Sequence, residues 1–177
     1  MTNDPKILGI ALIGGVLPAL IWLWFWLRED AEKPEPKGML MLCFLLGMVA
    51  VIFVLPIEKF LQVHISSQEY QILSWASVEE IIKYLAVLIV LFNTSYIKNP
   101  IDYPIYTITA ALGFAALENT FFLIKPLSLD HSTVGLLTSQ LRFLGSTLLH
   151  SVSSGLIGIS LGLSFYLGRI IKKLYLI

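Results

Sequence analysis

The chain has 177 residues, 56% of them hydrophobic and 14% charged, with a mean hydropathy of +0.81. Soluble domains are nearer a quarter charged, so this composition fits a bilayer as its solvent. Lys plus Arg equals Asp plus Glu at 12 each, which leaves no basic field for nucleic acid and excludes it as an expected partner. The lone cysteine, Cys43, lies in an apolar run, rules out an intrachain disulfide and reads as a small buried hydrophobe.

Crossing about 30 Å of hydrocarbon takes about 20 apolar residues in helical form. The first such segment, about Ile7 to Leu27, ends in Trp22, Trp24 and Trp26; it is too long for a signal-peptide core and lacks a small-x-small cleavage site. A polar linker from Arg28 to Lys37 follows, where Pro34 and Pro36 forbid helix continuation. The second segment is about Met39 to Ile57. The third, about Ile72 to Phe92, and the fourth, about Tyr103 to Ile124, are joined through Asn99 and Pro100, a short turn that predicts antiparallel neighbours. The last, about Leu136 to Leu167, would run about 48 Å as one helix, so it is either a long tilted helix or a broken pair. His64 and His131 fall in predicted loops.

The expected fold is all-α. Residues 1–177 form a single integral membrane domain, a polytopic helical bundle of about five transmembrane helices, with six as the alternative. With five spans and the N-terminus outside, Arg28, Lys33, Lys37, Lys98, Arg169, Lys172 and Lys173 lie inside, against Lys6, Lys59 and Lys125 outside. The basic bias predicts a multi-pass cell-membrane protein with a cytoplasmic C-terminus.

Glu79, Glu80, Lys83, Glu118 and Arg142 fall within the spans, with His150 beside them. At roughly 2.5 to 3.5 kcal/mol each, five such charges facing lipid would cost on the order of 12 to 18 kcal/mol. They are expected to face one another instead. At 100° per residue, Glu79, Lys83 and Glu80 share one helical arc, with the lysine between the carboxylates. Arg142, Ser146, His150 and Ser154 follow at i+4 steps, and Ser154, Gly158 and Gly162 continue as a small-xxx-small stripe that permits close helix packing. Glu79, Glu80 and Glu118 each lie about 10 to 12 Å from the predicted outer helix ends, whereas His150, counted from Leu136, comes out deeper.

Glu79-Glu80-x-x-Lys83, Phe114-x-x-x-Glu118-Asn119, and Arg142 followed by His150-x-x-x-Ser154 together resemble the PrsW family of intramembrane proteases, relatives of the CAAX-processing endopeptidases. The resemblance covers about Ser74 to Gly162. It implies a helical-bundle protease whose paired glutamates and histidine are catalytic, and which cuts a single-pass membrane protein, such as an anti-sigma factor, near its extracytoplasmic side. It also implies a further C-terminal helix with another histidine motif, and no such motif occurs up to Ile177.

Peptide hydrolysis needs an activated water, a proton for the leaving amine and donors for the oxyanion. The catalytic candidates are Glu79 or Glu80 as general base, Glu118 as the partner holding the water or a proton, and His150 as oxyanion donor or second water ligand. Asn119 and Ser154 are candidate substrate-binding residues, while Lys83 and Arg142 tune charge and hold the helices together. The bland alternative is a structural ion-pair network, with the serines bonding between helices. No cofactor or metal is expected. Three glutamates and a histidine could ligate zinc, but no His-Glu-x-x-His run is present and carboxylate-rich ligation is atypical of catalytic zinc. A proton-coupled transporter or a scaffold would also bury charges, yet transporters usually show repeat symmetry and none is visible. The expected partners are the lipid bilayer and a single-pass membrane protein substrate.

Overall fold

Ala110, Ala111, Gly113, Ala115 and Ala116 give one helix so little bulk that neighbours can close on it from several sides. The computed structural model describes residues 4–29, 34–92, 97, 99–128, 137 and 141–175. Among these residues it has five helices: α1 (Pro5–Glu29), α2 (Lys37–His64), α3 (Gln68–Phe92), α4 (Asp102–Ser128) and α5 (Thr147–Tyr175), with a π-helical turn, Arg142–Ser146, ahead of α5. The all-α bundle is as expected. All but α3 are long and apolar enough to cross a membrane; α3 matches α1 at 25 residues but carries Glu79, Glu80 and Lys83 in its middle.

The alanine- and glycine-rich helix, α4, is the centre. Most of it is buried, and α1, α2 and α5 pack along it. At the α2–α4 crossing the backbones touch. A Cβ on Gly47 would lie 1.9 Å from the Ala110 carbonyl oxygen, and one on Gly113 would lie 1.9 Å from that of Phe44. The small-xxx-small stripe of α5 works against the same helix, since a Cβ on Gly158 would meet Thr107 Oγ1 at 2.3 Å and Pro104 Cα at 2.5 Å. Large apolar side chains such as Ile13, Phe53 and Leu149 point outward, as lipid contact requires.

α3 and α4 are in contact, as the short turn predicts, but α3 packs mainly on α2 and touches α4 and α5 more sparsely. The glycine-bearing helices take up the smooth sides of α4, and α3 meets it through Val87 and Val90 beside Tyr106 and Ala110 and through Lys83 over the Phe114 ring. α2 does not stop at Ile57 but runs through Pro56 to His64, so Glu58 is helical and His64 sits on the last helical turn rather than in a loop. The final helix extends to Tyr175, beyond the expected end at Leu167, while residues 136 and 138–140 at the expected head of that span lie outside the described residues, as do Lys33, Lys98 and His131.

Candidate active site

Lys83 is the hub. Its side chain is 2% exposed, and Nζ donates to Glu80 Oε1 at 2.5 Å and to His150 Nδ1 at 3.0 Å, with Glu79 Oε2 at 3.8 Å. The ammonium also lies 4.5 Å from the centroid of the Phe114 ring, on whose face a cation is attracted, and that ring meets His150 edge-on. An ammonium can only donate, so Nδ1 of His150 is the acceptor and its proton sits on Nε2, directed at Glu118 Oε2 3.1 Å away. His150 Nδ1 also lies 3.7 Å from Glu79 Oε2. The histidine is therefore level with the carboxylates, and the deeper position obtained by counting from Leu136 does not hold.

The helices deliver these groups by their periods. Glu79 and Glu80 come from α3 one turn before Lys83, and Glu118 comes from α4 one turn after Phe114, on the same face. Arg142, in the π-turn, caps Glu118. Its Nη2 donates to Glu118 Oε2 at 2.5 Å and to Ser146 Oγ at 3.2 Å, its Nε donates to Asn119 Oδ1 at 2.6 Å, and the guanidinium lies 3.9 Å from the Phe122 ring centroid. The π-turn adds a residue to the helical step, closed by a bond from the Thr147 N–H to the Arg142 carbonyl. Such turns occur often at functional sites.

The four groups expected to be catalytic, Glu79, Glu80, Glu118 and His150, thus converge with Lys83 and Arg142 inside the bundle. The two expected to bind substrate have their polar atoms committed elsewhere. Ser154 Oγ donates to Glu80 Oε2 at 2.7 Å and is buried, and the Asn119 amide bridges Arg142 and Thr147 Oγ1. Both are placed to hold the carboxylate and the arginine rather than a ligand. Ser153 adds a second hydroxyl to Glu80, at 2.9 Å from Oε1.

Sequence reasoning missed Glu58. Its carboxyl lies within hydrogen-bonding reach of that of Glu79, and its backbone carbonyl accepts from Trp75 Nε1 at 3.2 Å. Ending the second span at about Ile57 hid it; a helix carried one more turn would have put a fourth carboxylate beside α3. Phe114 belonged to the recognised motif but had been given no role, although four-residue spacing from Glu118 already put the two on one face.

Residues 35–176 match the sequence model described as PrsW family intramembrane metalloprotease. The chain belongs to the PrsW protease family. It is 28% identical over 158 residues to Protease PrsW of Bacillus subtilis (strain 168), covering 88% of this chain and 66% of that protein. It is also 28% identical over 113 residues to Protease PrsW of Geobacillus kaustophilus, covering 62% and 50%, and 32% identical over 123 residues to that of Oceanobacillus iheyensis, covering 64% and 54%. The chain therefore spans half to two thirds of the length of these curated PrsW relatives. No solved structure matches it significantly. Membership makes it a multi-pass membrane protein of the intramembrane-protease family.

The family description implies a metal, and the donor set can be tested for it. Among the described residues no three His, Cys, Asp or Glu side chains form a metal-holding group. The position between Glu80 and His150 is filled by the Lys83 ammonium, and the Glu118 oxygen facing His150 also takes the Arg142 guanidinium. A divalent ion placed there would meet two fixed cations, so the described residues do not fit a three-ligand metal centre.

Proposed function

We propose that this PrsW-family chain is an intramembrane endopeptidase that cleaves a single-pass membrane protein with a glutamate-activated water. The observation that supports this most is the convergence of Glu79, Glu80, Glu118 and His150 around one buried lysine at a single depth of the bundle. Glu80 has three donors on its two oxygens, whereas the nearest nitrogens to Glu79 Oε2 stand at 3.7 and 3.8 Å. Glu79 is therefore the general base in this reading, and Glu80 the anchor for Lys83. A water within hydrogen-bond reach of Glu79 Oε2, beside the imidazole edge 3.7 Å away, is the nucleophile in this reading. It loses a proton to Glu79 as its oxygen adds to the scissile carbonyl carbon. The C–N bond then breaks, and the proton passes from Glu79 to the leaving amine. Glu118 holds the imidazole in the required tautomer and orientation, and Arg142 balances the charge of Glu118.

The basic bias favours a cytoplasmic C-terminus, and in this reading the site serves an extracytoplasmic cut in a substrate such as an anti-sigma factor. The test is cleavage of a single-pass substrate in liposomes by the parent chain and by Glu79→Gln. Loss in the variant with the fold intact supports the reading, and equal rates refute it.

A further inference from the structure

We infer that the groove between α3 and α5 is the berth for the substrate's transmembrane helix, which reaches the carboxylates from the lipid side by this route; the inference rests on the proteolytic reading above. Two recesses adjoin there. The inner one, about 10 Å³ and roughly the size of one water, is walled by Glu80, Lys83, Val87, Thr107 and Ser154. The outer one, about 310 Å³, is open to the lipid and lined by Leu156, Ser160, Leu161 and Ser164. Tyr84 and Ile157 border both, so the outer recess lies directly beside the inner one at the edge of the charged cluster.

The chemistry of the walls selects a helix over an acyl chain. Ser160 and Ser164 stand one turn apart, and each hydroxyl is spent on the carbonyl four residues earlier, at 2.8 and 2.9 Å. They present little bulk and no unmet polar group, the surface that lets another helix backbone come close. Tyr84 at the junction adds a phenol beside them. A helix lying here packs small residues against Ser160 and Ser164. Where it reaches Glu80 its backbone must leave the helix, because a helical carbonyl is shielded by its own hydrogen bond. The groove thus favours a substrate helix with Gly, Ser or Ala facing α5 and a weak helical segment, rich in Gly or Ser, at the depth of Glu80.

A second cavity argues by contrast. It is larger, about 390 Å³, and lies between α1, α4 and α5, lined by residues such as Leu23, Trp26, Ile105 and Leu156. None of the charged residues of the site lines it, so a chain lodged there would not be delivered to them.

The experiment uses the full chain carrying Glu79→Gln, a benzophenone-bearing residue at Leu161 or, separately, at Ile105, and a biotinylated single-pass peptide. That peptide has about 20 apolar residues with a Gly-Ser segment in its outer quarter. Irradiation in liposomes is expected to capture the peptide from Leu161 and not from Ile105. Filling the groove with Ser160→Trp and Ser164→Trp should lower both capture and, in the otherwise parent chain, kcat/KM about tenfold or more through KM, each tenfold being 1.4 kcal/mol of binding. Capture from Ile105 alone, or capture of lipid only from Leu161, overturns the berth. Capture from Leu161 by a chain whose parent form cuts nothing keeps the berth and refutes the protease reading instead.

Discussion

Glu79 and Glu80 are neighbours in sequence with different surroundings, and paired glutamine substitutions should separate them. The Glu79 carboxylate has its nearest nitrogens at 3.7 and 3.8 Å, beyond hydrogen-bond distance, and a glutamine there still bonds to Glu58. Glu79→Gln should therefore cost stability about 1 kcal/mol, a melting shift of about 2 to 4 °C for a chain of this size, while lowering turnover by about 10² to 10⁴ through loss of the base. Glu80→Gln breaks a 2.5 Å ion pair with a lysine that is 2% exposed. Stranding one member of a buried pair costs about 3 to 5 kcal/mol, and the partial exposure of Glu80 points to the lower end, a fall of about 6 to 12 °C. Activity should then fall with folding, and recover in part when assayed well below the new melting point. The assays are thermal unfolding in detergent followed by tryptophan fluorescence, and gel-resolved cleavage of a single-pass substrate. A stable, inactive Glu80→Gln beside a fully active Glu79→Gln would reverse the two roles. Full activity in both would remove proteolysis from this site.

His150→Ala should lower turnover about 10² to 10³-fold, measured on folded protein, since it removes the acceptor that holds Lys83 beside the glutamates and leaves Glu118 with Arg142 alone. Glu58→Gln should slow cleavage about tenfold, less than Glu79→Gln, because the hydrogen bond to Glu79 survives but the pair can no longer share a proton; equal losses would make Glu58 a base in its own right. Chelators should leave cleavage unchanged, and added zinc should not raise it; loss on chelation with rescue by zinc would refute the glutamate-water mechanism. Reporter fusions after Ile177 should read as cytoplasmic, and an external reading would overturn the charge-bias topology.

Lipid is what made the site legible in the sequence. A charge in a membrane span is too costly to be incidental, so Glu79, Glu80, Lys83, Glu118 and Arg142 identified themselves, and the helical period alone grouped Glu79, Glu80 and Lys83 on one arc. The apolar ruler likewise found each of the five helices among the described residues. What it missed turns on tertiary contacts. The apolar run ends at about Ile57, yet α2 carries on to His64, and only that extension brings Glu58 to Glu79. Ser154 and Asn119 read as ligand contacts because they are polar and flank catalytic motifs. Only coordinates reveal that Glu80, Arg142 and Thr147 already occupy their bonds. Turn length made α3 and α4 adjacent in sequence but could not say how much surface they share.

The charge balance of the cluster gives the Glu58 contact its mechanistic weight. Four carboxyls, Glu58, Glu79, Glu80 and Glu118, face two fixed cations, Lys83 and Arg142, so a fully ionised set would carry two uncompensated negative charges in a low-dielectric interior. Two carboxyls can hydrogen-bond to each other only with a proton between them. One proton shared between Glu58 and Glu79 would bring the set to a single net negative charge. Proteolysis by activated water needs the same pair of capacities, a site that accepts the proton of water and a reserve that returns it to the leaving amine. A carboxyl on α2 touching the proposed base on α3 supplies both without a second histidine. Lys83 and Arg142, each bound to a carboxylate outside that pair, keep Glu80 and Glu118 ionised in place while the proton moves.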